Sequence, residues 1–389
     1  MNSLHILVVD DIAQGCIGDK GFRGGVQKHS YDVAHVLVDL GHKVTMLQTI
    51  ADPGIDPVFH SLGAKQIFLT LGARSKPQPQ FVRATAWSYE ARRQVKAILP
   101  VINPDIVINN TLPWVGKLAV EAGYPTLMPL HSSPEQQGGR PGSVSRTLTP
   151  AWRHTDIFRF GHVSWPNAQA WINYNRKHFT HIIPPVPDIE PLILEWPEAI
   201  SRHTAPVKAG KGYVQVIGRA WKDKLPEVAA KCAIDAGLNV RVFTNVSPTH
   251  PEYAEQFIKP LAGGACDVII DAPHKQVMAS LEEADALVVA APYESFGIVC
   301  VEAMERGVPI FFMKGHRAVQ GDTIAPSLKK ILDYPQKSKR DMTVALSKMQ
   351  KFDRNFIASE TRNWWSEDRF KKLMIARIDD MRKLIKTTR

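Results

Sequence analysis

Paired cysteines are the first thing this sequence lacks, and their absence excludes two kinds of scaffold. The four cysteines, Cys16, Cys232, Cys266 and Cys300, lie far apart, with no spacing that would frame a structural zinc or a disulfide lattice. Reduced thiols are expected. Long hydrophobic runs are missing too: none approaches the roughly 20 residues of a membrane span. Strand-like His5–Val9 follows Met1-Asn2-Ser3 so closely that a signal peptide has no room. The expected location is the cytoplasm. The spacing Gly-x-Gly-x-x-Gly occurs nowhere, so there is no dinucleotide fingerprint, and no Asp-x-Asp points to a metal ion.

What is present is a chain of 389 residues, 44% hydrophobic, enough for sizeable cores in two or three domains. A net charge of +10 favours a polyanionic partner, either nucleic acid or an acidic membrane surface. Strand-like segments fall at His5–Asp10, Lys43–Leu47, Ile67–Leu71, Ile106–Asn109, Thr126–Leu130, Ile157–Phe160 and Thr180–Ile183. A second series runs through Tyr213–Ile217, Asn239–Thr244, Val268–Asp271, Ala286–Val289 and Pro309–Phe312, with amphipathic helices between. This alternation predicts an α/β protein with two doubly wound parallel sheets. Between the series, Pro184-Pro185-Val186-Pro187-Asp188, with Pro191, Pro197 and Pro206 beyond, disfavours helix and sheet alike and marks a boundary. The expected division is 1–190, a linker at 191–212, 213–355, and a helical segment at 356–389.

The most informative stretch is Ala290–Gly307. An apolar strand, Ala286–Ala291, gives way to a turn and then to helical spacing over Phe296–Arg306, stopped by Gly307. The first amides of such a helix have no intrahelical partner and carry partial positive charge, so those near Phe296, Gly297 and Ile298 suit a phosphate. Glu294 and Glu302 flank them. Carboxylates repel phosphate but accept from hydroxyls, and a diphosphate bearing sugars on both sides, a nucleotide sugar, satisfies both facts.

Glutamate, seven residues, glutamate, with Ser-Phe-Gly after the first, resembles the signature of retaining GT-B glycosyltransferases of the large family 4. The resemblance implies that Glu294 holds the donor sugar, Glu302 the ribose, and Ser295, Phe296, Gly297 and Ile298 the diphosphate. It extends along the chain. The glycine-rich loop after the first strand, ending in Gly21-Phe22-Arg23-Gly24-Gly25, is similar to the loop with which that family meets donor phosphate and acceptor, which implies roles for Gly24 and Gly25. His131, just past the strand Thr126–Leu130, stands where family members carry a histidine near the donor sugar and reacting centre. Ser132 replaces the frequent aspartate, so a donor contact or orienting role is expected in preference to proton transfer.

Gly218-Arg219-Ala220-Trp221-Lys222-Asp223-Lys224 follows a strand, where an arginine fork and a lysine can straddle a diphosphate. The family pattern matches Gly218, Arg219 and Lys224 but lacks the usual Pro-Glu-Lys-Gly, which leaves Lys222 as an alternative to Lys224. The turn at Val268–His274 is where the resemblance places the nucleobase. It also implies two Rossmann-like domains facing across a cleft, a final helix crossing back to the first domain, retention by front-face attack, and no metal or cofactor beyond the donor, commonly a UDP-sugar.

The acceptor is read from other residues. Gln136–His154, polar and glycine-containing, reads as a long mobile loop with Arg140, Arg146 and Arg153 opposed by no acids, the leading candidate for acceptor contact. Pro-Pro-x-x-Asp-Ile at 184–189, Ile-Gly-Arg-x-Trp-Lys at 217–222 and Val-Pro-Ile-Phe-Phe-Met-Lys-Gly at 308–315 resemble bacteriophage DNA α-glucosyltransferases. That resemblance, with the basic balance, implies a hydroxymethylated pyrimidine in duplex DNA as acceptor, reached by base flipping in a phage-infected host cytoplasm. Lipid-linked or polysaccharide acceptors at an anionic membrane face are the alternative. The helix bearing Trp364, Trp365, Phe370, Leu373, Met374 and Ile378 would then lie on the membrane, although acids interrupt its positive face. A DNA-binding module without enzymatic activity is the remaining class.

Overall fold

A computed structural model describes residues 3–10, 25–48, 63–68, 92–111, 113–134, 141–181, 186–246, 251–291, 294–314, 322–333 and 335–388. The chain divides into two compact units. The first holds Met1–Val163, Ala168–Glu198 and Lys371–Arg389, the second Ser164–Asn167 and Ala199–Phe370.

The first unit is built on β1 (His5–Asp10), β2 (Lys43–Gln48), β3 (Lys65–Phe68), β4 (Ile106–Asn109), β5 (Thr126–Leu130), β6 (Phe158–His162) and β7 (Ile193–Glu195). Every pairing is parallel, in the order β3-β2-β1-β4-β5-β6-β7. Ile6, Leu7, Val8 and Val9 are all fully buried, because helices cover both faces of a parallel sheet and leave no polar side to the strand. The helix Gly25–Asp39 ends at Gly41, whose φ of 82° lets Gly41 N–H and His42 N–H reach back to Val38 and Leu37 carbonyls. The chain can then turn straight into β2.

Three expectations differ here. Pro191 lies in the opening turn of a 3₁₀ helix, Glu190–Leu192, where its missing N–H costs nothing. Ile193–Glu195 then pairs with β6, so the start of the expected linker is an edge strand of the first sheet. Thr180 and His181 are a turn, closed by Thr180 Oγ1 donating to Arg176 O, where a strand is expected; residues 182–185 lie outside those described. Pro141–Arg153 is a helix rather than a loop, with Leu148 and Ala151 fully buried, so the polar residues mask an apolar stripe.

The second unit carries β8 (Tyr213–Ile217), β9 (Asn239–Thr244), β10 (Cys266–Ile270), β11 (Ala286–Val289) and β12 (Ile310–Phe312), all parallel, in the order β10-β9-β8-β11-β12. Alternation along β11 serves two cores. Leu287 and Val289 join Met278, Cys300 and Phe312 on one face, and Ala286 and Val288 join Val214, Val216 and Ala229 on the other. Burial of each such aliphatic side chain is worth about 1.5–3 kcal/mol.

The helix Ile298–Met304 is closed at Gly307. There φ is 75°, and a Cβ would sit 2.4 Å from Arg354 O, so only glycine fits. Arg354–Trp364 and Glu367–Thr388 end the chain. Of the stripe expected of a membrane-surface helix, Trp365, Phe370, Met374 and Ile378 are at most 6% exposed and Trp364 and Leu373 are half-buried, so most of it is already covered by protein. Its basic residues are also largely matched: Arg377 and Lys383 pair with Asp380, Arg382 with Asp379, and Lys371 with Asp39.

Candidate active site

In the second unit, strand order reverses between β8 and β11, and in open α/β sheets ligands bind beyond the carboxyl ends of the strands at such a switch point. The segment after β8 brings Lys224 there and the segment after β11 brings Glu294. Lys224 Nζ donates to Glu294 Oε2 at 2.5 Å, with both side chains partly covered. Burial draws the Lys224 pKa down, but the Glu294 charge and hydrogen bond outweigh it, and the net shift is upward. Lys224 therefore stays a cation at neutral pH. Arg219 is exposed and close enough for its charge to oppose that of Lys224. Lys222 is instead directed over the Trp221 ring, 5.2 Å from its centroid, so Lys224 and not Lys222 meets the glutamate.

The turn beyond Glu294 is held from beneath. Ser164 Oγ donates to Ser295 O at 2.6 Å, Thr323 Oγ1 donates to Phe296 O, and the Phe296 ring meets Trp365 edge-on at 5.0 Å. Trp365 Nε1 donates in turn to Thr323 O at 3.1 Å. These contacts use the carbonyls and leave the amides: among the described residues, the N–H groups of Phe296, Gly297 and Ile298 have no backbone partner. Gly297, at φ 89° and ψ 59°, supplies the left-handed bend that opens the helix Ile298–Met304. Glu302 lies within that helix, its Oε1 3.6 Å from Nε2 of His274, the last residue of the expected nucleobase turn and the first of the helix His274–Glu282. Two carboxylates thus flank a row of amides.

In the first unit a second cluster forms at the carboxyl ends of the strands. Asn110 follows β4, His131 follows β5, Glu198 follows β7, and His29 comes from the helix Gly25–Asp39. His131 Nδ1 lies 3.4 Å from Glu198 Oε2 and His131 Nε2 lies 3.5 Å from Asn110 Oδ1. His29 packs edge-on to His131 with ring centroids 4.7 Å apart, and its Nε2 accepts from Trp196 Nε1 at 2.9 Å. Gly161 makes room for Trp196, since a Cβ there would come within 2.9 Å of the Trp196 side chain.

Burial pushes His131 down to about 3. It takes His29 to about 4 although Glu198 opposes the shift, so both rings are neutral at physiological pH. One ligand atom from each of His29, His131 and Glu198 falls within 4.8 Å of the others, close enough for a metal ion. His29 Nε2 is, however, already engaged, 2.9 Å from Trp196 Nε1 and 3.0 Å from Pro197 O. His29, Trp196 and Glu198 escape a sequence reading because the contacts to His29 span 167–169 positions; their one local signal is a glutamate set among Trp196, Ala199 and Ile200.

The expected acceptor arginines fare differently. Arg153 closes the helix Pro141–Arg153 and sits 3.5 Å from Glu121, an acid not foreseen for it. Arg140 lies outside the described residues, as does the Arg146 side chain; so does Gly24, while Gly25 is the first residue of its helix.

Residues 252–321, which include Glu294, Glu302 and the turn between, match the family model "Glycosyl transferases group 1". Sucrose-phosphate synthase from Thermosynechococcus elongatus superposes with a TM-score of 0.69 at 14% identity, over 99% of this chain and 100% of that one. Anabaena HepE, solved with UDP and glucose, gives 0.65 at 15%, over 97% and 100%. The lipopolysaccharide outer core galactosyltransferase WaaB gives 0.61 at 16%, over 97% and 99%. The fold is GT-B. No curated protein sequence matches the chain.

Proposed function

We propose that the chain is a retaining glycosyltransferase that moves a sugar from a UDP-sugar to an acceptor hydroxyl. The observation that carries this is the junction of Lys224, Glu294 and the open amides of Phe296–Ile298 at the second unit's switch point. The group 1 match over that segment and the UDP bound in HepE support it. Without donor, Lys224 and Glu294 neutralise each other. With donor, Lys224 and Arg219 turn to the diphosphate, Glu294 accepts from sugar hydroxyls, and Glu302 from the ribose.

During transfer the bond from the anomeric carbon to the phosphate oxygen breaks, and its electron pair leaves with UDP. The acceptor oxygen bonds to the same face of that carbon and its proton passes to the departing phosphate. Negative charge grows on the diphosphate, where the fixed amides, Arg219 and Lys224 stabilise it without reorganising. His131 is assigned a contact to the donor sugar on the family resemblance of its position after β5.

For the acceptor we propose a hydroxymethylated pyrimidine of duplex DNA. The net charge of +10 and the three phage-like segments at 184–189, 217–222 and 308–315 support it. A sugar phosphate is the second reading, favoured by the likeness to sucrose-phosphate synthase. The test is incubation with UDP-glucose and, in parallel, hydroxymethylated duplex, plain duplex or hexose phosphates, followed by mass spectrometry of the nucleosides and of the small-molecule fraction. A hexose gain on the hydroxymethylated nucleoside alone supports the proposal. A gain on the sugar phosphate replaces the acceptor, and no gain across a panel of donors and acceptors overturns the activity.

A further inference from the structure

We infer that the helix Lys339–Ser347 and the residues at its two ends form a basic ridge on the second unit that holds the phosphate backbone of duplex DNA without reading its sequence. The inference goes beyond the proposed acceptor, because unmodified duplex is enough for it and the ridge takes no part in the transfer. From Lys337 to Lys351 the chain carries five cations, Lys337, Lys339, Arg340, Lys348 and Lys351, against one acid, Asp341. All five are exposed, and among the described residues none is in an ion pair. In the helix Glu367–Thr388, by comparison, Arg377, Arg382 and Lys383 each have an acid within the same helix.

Packing decides which way the ridge faces. Met342 and Leu346 are buried in the core that holds Ala229 and Ala233, and Lys339 O accepts from Cys232 Sγ at 3.6 Å, so the helix has one fixed inner side. Arg340, Val344 and Lys348 recur at every fourth position and share the opposite face, spread over about 12 Å of helix axis. Duplex DNA carries one charge per about 1.7 Å of its axis, so such a row meets several phosphates at once. Local helix stability does not explain these cations: Lys339 and Arg340 stand in the first turn, where the macrodipole disfavours positive charge. A bound polyanion offsets that cost. A membrane surface suits the face less well, because an interfacial helix buries an apolar side in lipid. Here that side is already packed in the core, and Val344, 44% exposed, is the one large apolar residue left outside on this helix. The ridge begins beside the donor junction. Gln336 N donates to Phe312 O at 2.9 Å and Lys314 N to Gln336 O at 2.7 Å, so Lys337 sets out from the carboxyl end of β12, which pairs with β11, the strand that leads to Glu294.

The test is titration of a fluorescent plain duplex of about 20 base pairs with the full-length protein, read by anisotropy over a salt series. The wild type is expected to bind with an affinity whose logarithm falls with log salt at a slope of about −3 to −5, at about 0.9 per phosphate neutralised. Arg340→Gln/Lys348→Gln/Lys351→Gln should weaken binding about tenfold or more at about 100 mM salt and bring the slope about 2 to 3 units nearer zero, with hydrogen exchange in β11 and β12 and affinity for UDP-glucose unchanged. Lys43→Gln/Arg92→Gln/Lys96→Gln removes the same charge from exposed positions of the first unit and should weaken binding less than about threefold. Absence of duplex binding by the wild type, or equal losses in the two triple variants, overturns the inference. So does a ridge variant that keeps its duplex affinity but loses binding to phosphatidylserine vesicles, which would make the surface a membrane contact. Sugar transfer is read separately: a protein that glycosylates no nucleoside yet shows the ridge-dependent slope refutes the proposed acceptor and supports the ridge.

Discussion

The two units solve the same problem, holding a carboxylate at the carboxyl ends of parallel strands, in opposite ways. In the second unit Glu294 is matched by a full cation, Lys224, in a partly open site. In the first, Glu198 is enclosed with two histidines that burial keeps uncharged. An open ion pair is cheap to separate because water and ligand can replace either partner, so it suits a site that must exchange its contacts for a diphosphate and a sugar. An enclosed carboxylate among neutral rings is costly to disturb and suits a part that must stay where it is. The contrast separates binding from positioning.

The largest effect expected from breaking the contrast is at Glu294. Glu294→Ala and Lys224→Ala should each reduce kcat/KM by about 100-fold or more, the scale of removing one preorganised transition-state contact, with hydrogen-exchange protection of β8 and β11 unchanged. Glu198→Ala should act on stability. Opening the buried cluster costs about 3 kcal/mol of first-unit stability, seen as faster exchange in β4 and β5, whereas the second unit's amides keep wild-type rates.

Acid sharpens the comparison next. His29 and His131 have folded pKa values of about 4 and about 3, below the unfolded 6.5, so the unfolded chain binds more protons between those limits. First-unit stability is therefore full above about pH 6.5 and falls as pH drops toward 4, by a few kcal/mol at most. Exchange rates in β4 and β5 at pH 7 and pH 5 measure it, and His131→Gln should flatten the slope. The smallest effect belongs to Lys222→Ala: with its ammonium over Trp221, donor KM should stay within about twofold of wild type. A loss as large as that of Lys224→Ala would mean that the two lysines have been assigned the wrong way round.

How far the sequence could be read follows from where each signal resides. β1, β4 and β11 centre on continuous apolar runs buried on both faces, Ile6–Val9, Ile106–Ile108 and Ala286–Val289, and a run of that kind carries its own boundaries. Glu294, Glu302 and the turn between them lie within nine residues, so one short window holds both carboxylates and the amides. The edge strand at 193–195 was hidden by prolines that the structure tolerates at a 3₁₀ start. The helix 141–153 was hidden by its polar residues and by Pro150 within it, while the buried face needs only a few positions such as Leu148 and Ala151. The His29–Glu198–His131 cluster was not legible, because parallel strand order gathers residues from the helix Gly25–Asp39 and from the segments after β5 and β7 that no local pattern links.

The most direct measurement is calorimetric titration of UDP-glucose into the wild type and into a Glu294→Gln/Glu302→Gln double variant. The account predicts saturable binding by the wild type and at least a tenfold weaker dissociation constant for the double variant, with UDP alone weakened less than UDP-glucose. Equal affinity of both proteins for UDP-glucose would contradict it.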